Sequence, residues 1–253
     1  MANSIRSAPR RIDYTSAALQ DLPLHVDPPP QDSISWKLWT SCTDVAEEAF
    51  NTDYIQGIWL SSLNPGDYGH YTIQDCAYCC HAQGDFETIE ERSSAKGFPQ
   101  LAAFAKTKYE GYVAYTKELM EAWHLSNTDA ISPSDAAAQY MAFEGSVAKE
   151  MDPIYGVIAM IPCEQLWSWL ANAMDETPVA GNLYQFWIDE NKSWDGAYRL
   201  DNFIDGWIKD HPNSYDPKLG LHAYRGSMIG EANFFRSAAG QSLLPMPEFP
   251  IPG

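Results

Sequence analysis

The chain has 253 residues, with 34 acidic and 16 basic side chains and a formal net charge of -18 at pH 7. That length suffices for one sizeable core, and the acidity repels phosphate backbones and anionic lipids alike, which excludes nucleic acid and membrane surfaces as expected partners. No apolar run approaches the roughly 20 residues of a spanning helix, and an aromatic content of 13%, with nine Trp and fourteen Tyr, predicts an aromatic-walled pocket.

In chain order, residues 1–32 read as an extension. The start, M-A-N-S-I-R-S-A-P-R-R, is basic and faintly like a transit sequence, yet it develops no apolar face and no signal-peptide core. The expected location is therefore the cytosol. Asp27-Pro28-Pro29-Pro30 must be extended. From Ser33, a candidate cap, apolar positions three and four apart predict an amphipathic helix over 35–50. A short helix follows over 53–60. Asn64-Pro65 then supplies a cap and a proline at the first helical position, opening a helix to about Gln83 that holds Tyr68, Tyr71, Asp75, Tyr78 and Cys79. Asp75 and Tyr78 are three apart and project from one face. An Asp among aromatics in mid-helix is either a surface carboxylate or a residue with a buried purpose.

A polar link is predicted over 85–97, then a long helix from Pro99 to about His124, and another opened by Ser132-Pro133-Ser134-Asp135 that bears Tyr140 and Phe143. Asp152-Pro153 begins a helix running to about Met174, whose middle reads M-I-P-C-E-Q-L-W-S-W-L over 160–170. Pro162 there predicts a bent rod with a loosened preceding turn. Trp167 lies one turn beyond Cys163 on the same face, so the thiol meets an aromatic wall. Taken alone, Cys163 reads first as a small buried core residue. Two shorter helices follow over 179–190 and 193–209. Asp216-Pro217 opens the last helix, with Tyr224, Met228, Glu231, Phe234 and Phe235. The Pro-rich tail over 241–253 cannot be helical, and either folds back over the body or wanders. No segment of useful length has the period of a strand, so the predicted class is an all-α bundle: one domain over 33–240 between two tails.

Five cysteines, at 42, 76, 79, 80 and 163, are an odd number and do not read as a disulfide framework. Cys76-Ala-Tyr-Cys79-Cys80-His81 lacks the second ligand pair that a structural zinc site wants, so no metal is expected.

Three stretches in this order give the chain a resemblance to a known family. They are D-Y-I-Q-G-I-W-L-S-S-L-N-P-G-D-Y-G-H-Y-T-I-Q-D-C-A-Y (53–78), I-P-C-E-Q-L-W (161–167) and G-E-A-N-F-F (230–235). Together they resemble the TenA-type thiaminase II family, whose fold is the haem-oxygenase-like helical bundle; the resemblance spans about Trp36 to Ala238. It implies hydrolysis of an amino or aminomethyl substituent from a 4-aminopyrimidine, as in thiamine salvage, without a cofactor and in a homotetramer. It further implies Cys163 as nucleophile, Glu231 as the acid/base group, Asp75 as the anchor of the aminopyrimidine, and Tyr78 and Tyr140 as pocket tyrosines. Two positions depart from the family pattern, Trp167 and Asn191, each where a tyrosine is common. Both fall among the substrate-binding walls. The chemistry is coherent: a thiolate adds to an electron-poor ring, a carboxyl moves the proton, a second carboxylate receives an amidine-like edge, and aromatics hold the flat ring.

Trp167 and Asn191 also motivate a different reading, a binding protein that uses the same cavity for another flat ligand. A di-iron oxidase on this bundle would want Glu-x-x-His pairs on inward faces. Only Glu121 to His124 has that spacing, near a helix end.

Overall fold

The computed structural model describes residues 25–249. Among the described residues there is no strand, and none of the helices is long and apolar enough to cross a membrane. The extension before residue 25, including its basic start, lies outside the described residues.

Chain order gives α1 (Ile34–Thr40), α2 (Thr43–Phe50), α3 (Asp53–Trp59), α4 (Pro65–Ala95), α5 (Pro99–Ala122), α6 (Asp135–Glu150), α7 (Pro153–Ala159), α8 (Ile161–Asp175), α9 (Gln185–Asn191), α10 (Asp195–Asp210) and α11 (Pro217–Ala238). The predicted starts hold where a short polar side chain precedes the helix. Ser33 Oγ accepts from Trp36 N at 3.1 Å, Asn64 Oδ1 from Gly66 N at 2.8 Å and Ser134 Oγ from Ala137 N at 3.2 Å. Pro65, Pro99, Pro153 and Pro217 sit in first turns, where a missing N–H leaves nothing unpaired.

Four predicted boundaries are corrected. The first helix is two, because Thr40 and Ser41 hydroxyls donate back to the Lys37 carbonyl, the local competition that interrupts a rod. The predicted polar link over 85–97 is mostly helix: α4 runs on to Ala95 because Asp85, Phe86, Ile89 and Ser93 continue its buried face while Glu87 and Glu91 point out. Gly97 ends it at φ +76, with Phe98 N donating to Ser93 O at 2.9 Å and Gly97 N to Ser94 O at 3.1 Å. Pro162 does not bend one long helix. It lies in the first turn of α8, and the chain divides at Met160 into α7 and α8. The helix predicted from Val179 begins only at Gln185, because Asn182 is committed elsewhere: its Nδ2 donates to Ile58 O at 3.0 Å, and its Oδ1 accepts from Tyr184 N at 2.8 Å.

α4 lies along α5 and also meets α6, α7 and α11, while α11 packs on α2, α6, α7 and α8, so these long helices enclose one apolar core. A buried ion pair crosses it, with Lys108 Nζ of α5 2.5 Å from Glu164 Oε1 of α8, the residue after Cys163. After Gly240 the chain is not helical, and its described part folds back. Asn233 of α11 grips it with both amide atoms, Nδ2 donating to Leu244 O at 2.9 Å and Oδ1 accepting from Leu244 N at 2.6 Å.

Candidate active site

Asp75, placed by α4 on its inner face, is buried, so the surface alternative for this residue is set aside. Tyr115 Oη donates to Asp75 Oδ2 at 3.3 Å, and the Cys79 thiol lies 3.8 Å from Oδ1. Cys163, buried in the first turn of α8, has its Sγ 3.6 Å from Tyr112 Oη, a donor from α5. Glu231 of α11 is held by both oxygens: Tyr140 Oη donates to Oε1 at 3.0 Å and Trp167 Nε1 to Oε2 at 3.0 Å. Tyr78 and Tyr140 stack with ring centroids 4.8 Å apart and hydroxyl oxygens 3.3 Å apart. Asn191 is buried, and its Nδ2 donates to Trp187 O at 2.7 Å.

One phenol ties the predicted residues together. Tyr71, one turn before Asp75, is fully enclosed, and its ionisation is pushed well above the ordinary tyrosine value, first by burial and then by the charges of Asp75 and Glu231, with Cys163 also contributing. Its ring stacks on Phe235 at 5.5 Å and meets Phe234 edge-on at 5.3 Å. Four helices, α4, α6, α8 and α11, thus send Asp75 with Tyr71 and Tyr78, then Tyr140, then Cys163 with Trp167, and finally Glu231 to one buried region.

A cavity of about 30 Å³ lies between α4, α5, α8 and α9, lined by Tyr68, Tyr71, Asp75, Tyr115, Trp167 and Asn191 among others. That is space for about one or two waters, where an aromatic ring needs roughly 150 Å³. Trp167 bridges the two parts of the site. Its indole faces the cavity while its N–H reaches Glu231.

Residue spacing did not single out Tyr71, Tyr112, Tyr115 or Glu144 as site residues. A usable signal was present for two of them: Tyr71 is four before Asp75, and Glu144 is four after Tyr140, on shared helix faces. Glu144 is buried, with Oε2 2.9 Å from Tyr78 Oη. Burial, then the nearby Asp85 charge, drives its carboxyl well above the usual range, against hydrogen bonds from Tyr78 and Ser227. Among the described residues, no group of three or more His, Cys, Asp or Glu side chains is arranged to hold a metal ion.

The helical fold is shared with solved TenA-like proteins. A TenA homologue from P. horikoshii OT3 superposes with a TM-score of 0.60 at 18% identity, over 81% of this chain and 98% of that one. A TenA family transcription regulator from Silicibacter sp. gives 0.70 at 13% identity, over 83% and 97%, and a TenA homologue from Pyrococcus furiosus 0.64 at 12%, over 81% and 99%. No curated protein matches the sequence. Residues 82–200 match the model of the TENA/THI-4/PQQC family, a span that holds Tyr140, Cys163, Trp167 and Asn191. This match and the shared helical fold support a TenA-type family for the chain.

Proposed function

We propose that this protein is a cysteine-dependent hydrolase that removes the amino or aminomethyl substituent of a 4-aminopyrimidine, as thiaminase II enzymes do. The observation that carries the reading is that Trp167, one turn after Cys163 on α8, donates to Glu231 of α11 at 3.0 Å and walls the cavity that Asp75 of α4 lines. In this reading Asp75 accepts hydrogen bonds from the aminopyrimidine edge, and Tyr78 and Tyr140 with Trp167 hold the ring. Cys163 sulfur adds to an electron-poor ring carbon, with Tyr112 as the donor that favours its anionic form. Glu231 gives its proton to the departing nitrogen as the C–N bond breaks, then takes one from the water whose oxygen forms the new C–O bond. The sulfur leaves last.

The test is turnover of an aminomethylpyrimidine and of thiamine by wild type and Cys163→Ala. Activity in wild type and its loss in the variant, with an unchanged helical spectrum, is the expected result. Wild-type protein inert toward both compounds would retire the proposal.

The narrowness of the cavity beside Asp75, with Trp167 and Asn191 in its wall, favours as a second reading a binding protein for another flat ligand. An unaltered small molecule copurifying in native mass spectra would support it. The family resemblance also motivates a homotetramer and a cytosolic location as parts of the first reading, and light scattering on the purified chain tests the former. We take residues 33–240 as the folded unit, with 1–32 and 241–253 as its tails; limited proteolysis that leaves a stable core with other ends would redraw them.

A further inference from the structure

Behind Glu231 runs a line of hydrogen-bonding groups that the proposed hydrolysis does not by itself require. Tyr140 Oη is 3.0 Å from Glu231 Oε1, Tyr78 Oη is 3.3 Å from Tyr140 Oη, and Glu144 Oε2 is 2.9 Å from Tyr78 Oη. All four side chains are 3% exposed or less. The line has three gaps between oxygens, and the two phenols supply only two hydrogens. A third hydrogen, carried by one of the terminal carboxyls, fills every gap.

The surroundings decide which carboxyl carries it. Glu231 Oε2 already receives the indole N–H of Trp167, a donor suited to a carboxylate. Glu144 Oε1 is buried with no partner in hydrogen-bond geometry among the described residues, although the Ser227 hydroxyl approaches the carboxyl, a setting in which an ionised carboxylate remains costlier than an acid. The groups facing Glu144 are also mainly acidic or neutral. Asp85 and Tyr78 approach from α4, Ser227 and Glu231 from α11, and His81 Nδ1 lies 3.2 Å from Asp85 Oδ2. Lys149, on Glu144's own helix, lies on the side of Gly145 that also meets Asp85 and His81.

We infer that Glu144 is a second proton-holding carboxyl, joined through Tyr78 and Tyr140 to Glu231, and that the four side chains form a buried proton relay. In the resting state Glu144 donates to Tyr78, Tyr78 to Tyr140 and Tyr140 to the Glu231 carboxylate. A shift of each hydrogen across its own gap breaks three O–H bonds and forms three. It leaves Glu144 ionised and Glu231 protonated, with no other reactant. Its use in catalysis rests on the hydrolase reading: Glu231, ionised at rest, is loaded from Glu144 along the line before it protonates the departing nitrogen, and the proton it then takes from the attacking water returns along the same line to Glu144. Glu144 touches no substrate in this scheme and is a positioning and proton-supplying residue.

Infrared difference spectra of the full chain test the relay without substrate. A carboxylic-acid C=O band that persists at neutral pH in wild type and vanishes in Glu144→Gln is expected. That band should shift in Glu231→Gln but stay put when the same change is made in a Tyr140→Phe background, because the line is then cut. Tyr78→Phe, which keeps both carboxyls and removes one hydroxyl, should likewise uncouple them. If Glu144→Gln removes no acid band, or if the band ignores Glu231 with both tyrosines intact, the relay is overturned. With an active substrate, Glu144→Gln should lower kcat by about tenfold, alter the solvent isotope effect and leave KM within about twofold. A band with no turnover of any aminopyrimidine would sink the hydrolase reading and leave the relay standing; turnover without the band would do the reverse.

Discussion

Trp167 joins two requirements in one side chain. Its indole N–H holds Glu231 at 3.0 Å, and its ring forms part of the wall of the cavity that Asp75 lines. A tyrosine there would present a smaller ring, so the tryptophan sets both the width of the hollow and the posture of the carboxylate. Trp167→Phe removes the donor and some of the bulk together. We expect it to lower stability by about 1–3 kcal/mol through the lost partner of a buried carboxylate, measured by urea unfolding. Its binding of bulkier flat heterocycles, followed by calorimetry, should tighten relative to wild type. A variant with unchanged stability and unchanged ligand range would remove Trp167 from both roles.

At the scale of elements, the seam between α6 and α11 is what brings Tyr140 to Glu231. It is so close that a Cβ at Gly226 would overlap the Phe143 ring, and one at Gly230 the Tyr140 ring. These are ring atoms in a filled core, which give way poorly. Gly230→Ala should therefore cost about 1–3 kcal/mol by overpacking and should also pull Tyr140 off Glu231. Its infrared spectrum would then resemble that of Tyr140→Phe, whereas Gly226→Ala, at the Phe143 contact, would destabilise without that spectral change. Equal spectra for the two glycine variants would refute the division of labour along the seam. The Lys108–Glu164 pair plays a comparable part between α5 and α8, where loss of the lysine strands a buried carboxylate next to Cys163 in sequence.

Over the whole molecule, a net charge of -18 and two buried carboxyls act in the same direction on pH dependence. Glu144 and Asp201 are both raised well above their ordinary values of 4.5 and 3.8, first by burial and then by the neighbouring acids Asp85 and Asp205. In the unfolded chain each loses its proton at the ordinary value, while the folded chain keeps it. Between the two, the native state binds more protons than the unfolded one, so stability is full below the ordinary value and falls as pH rises. The slope approaches about 1.4 kcal/mol per pH unit for each group, and self-repulsion among the surface acids adds to the fall. Urea unfolding at about pH 5 and pH 8 should show the loss, and Glu144→Gln with Asp201→Asn should flatten it. Wild-type stability that rises across that range would contradict the assignment of both groups as buried acids.

What the linear order determined here is mostly local. Caps and first-turn prolines announced where helices begin, because Ser33, Asn64 and Ser134 meet backbone N–H groups two or three residues away. The order of the Asp75, Cys163 and Glu231 motifs carried the family resemblance in the same way. Where local chemistry was ambiguous, packing decided. The charged run after Asp85 stayed helical because its buried face continued, and Pro162 opened a helix instead of bending one. The relay was out of reach altogether: its links join residues 62, 66 and 91 positions apart. Such distances are set by how α4, α6 and α11 pack, and a hydrogen bond between distant side chains leaves no periodic trace in the sequence. The sequence alone therefore determined most helix starts and the chemical types available to the site, and only the tertiary structure decided how far the helices run and which of those groups meet.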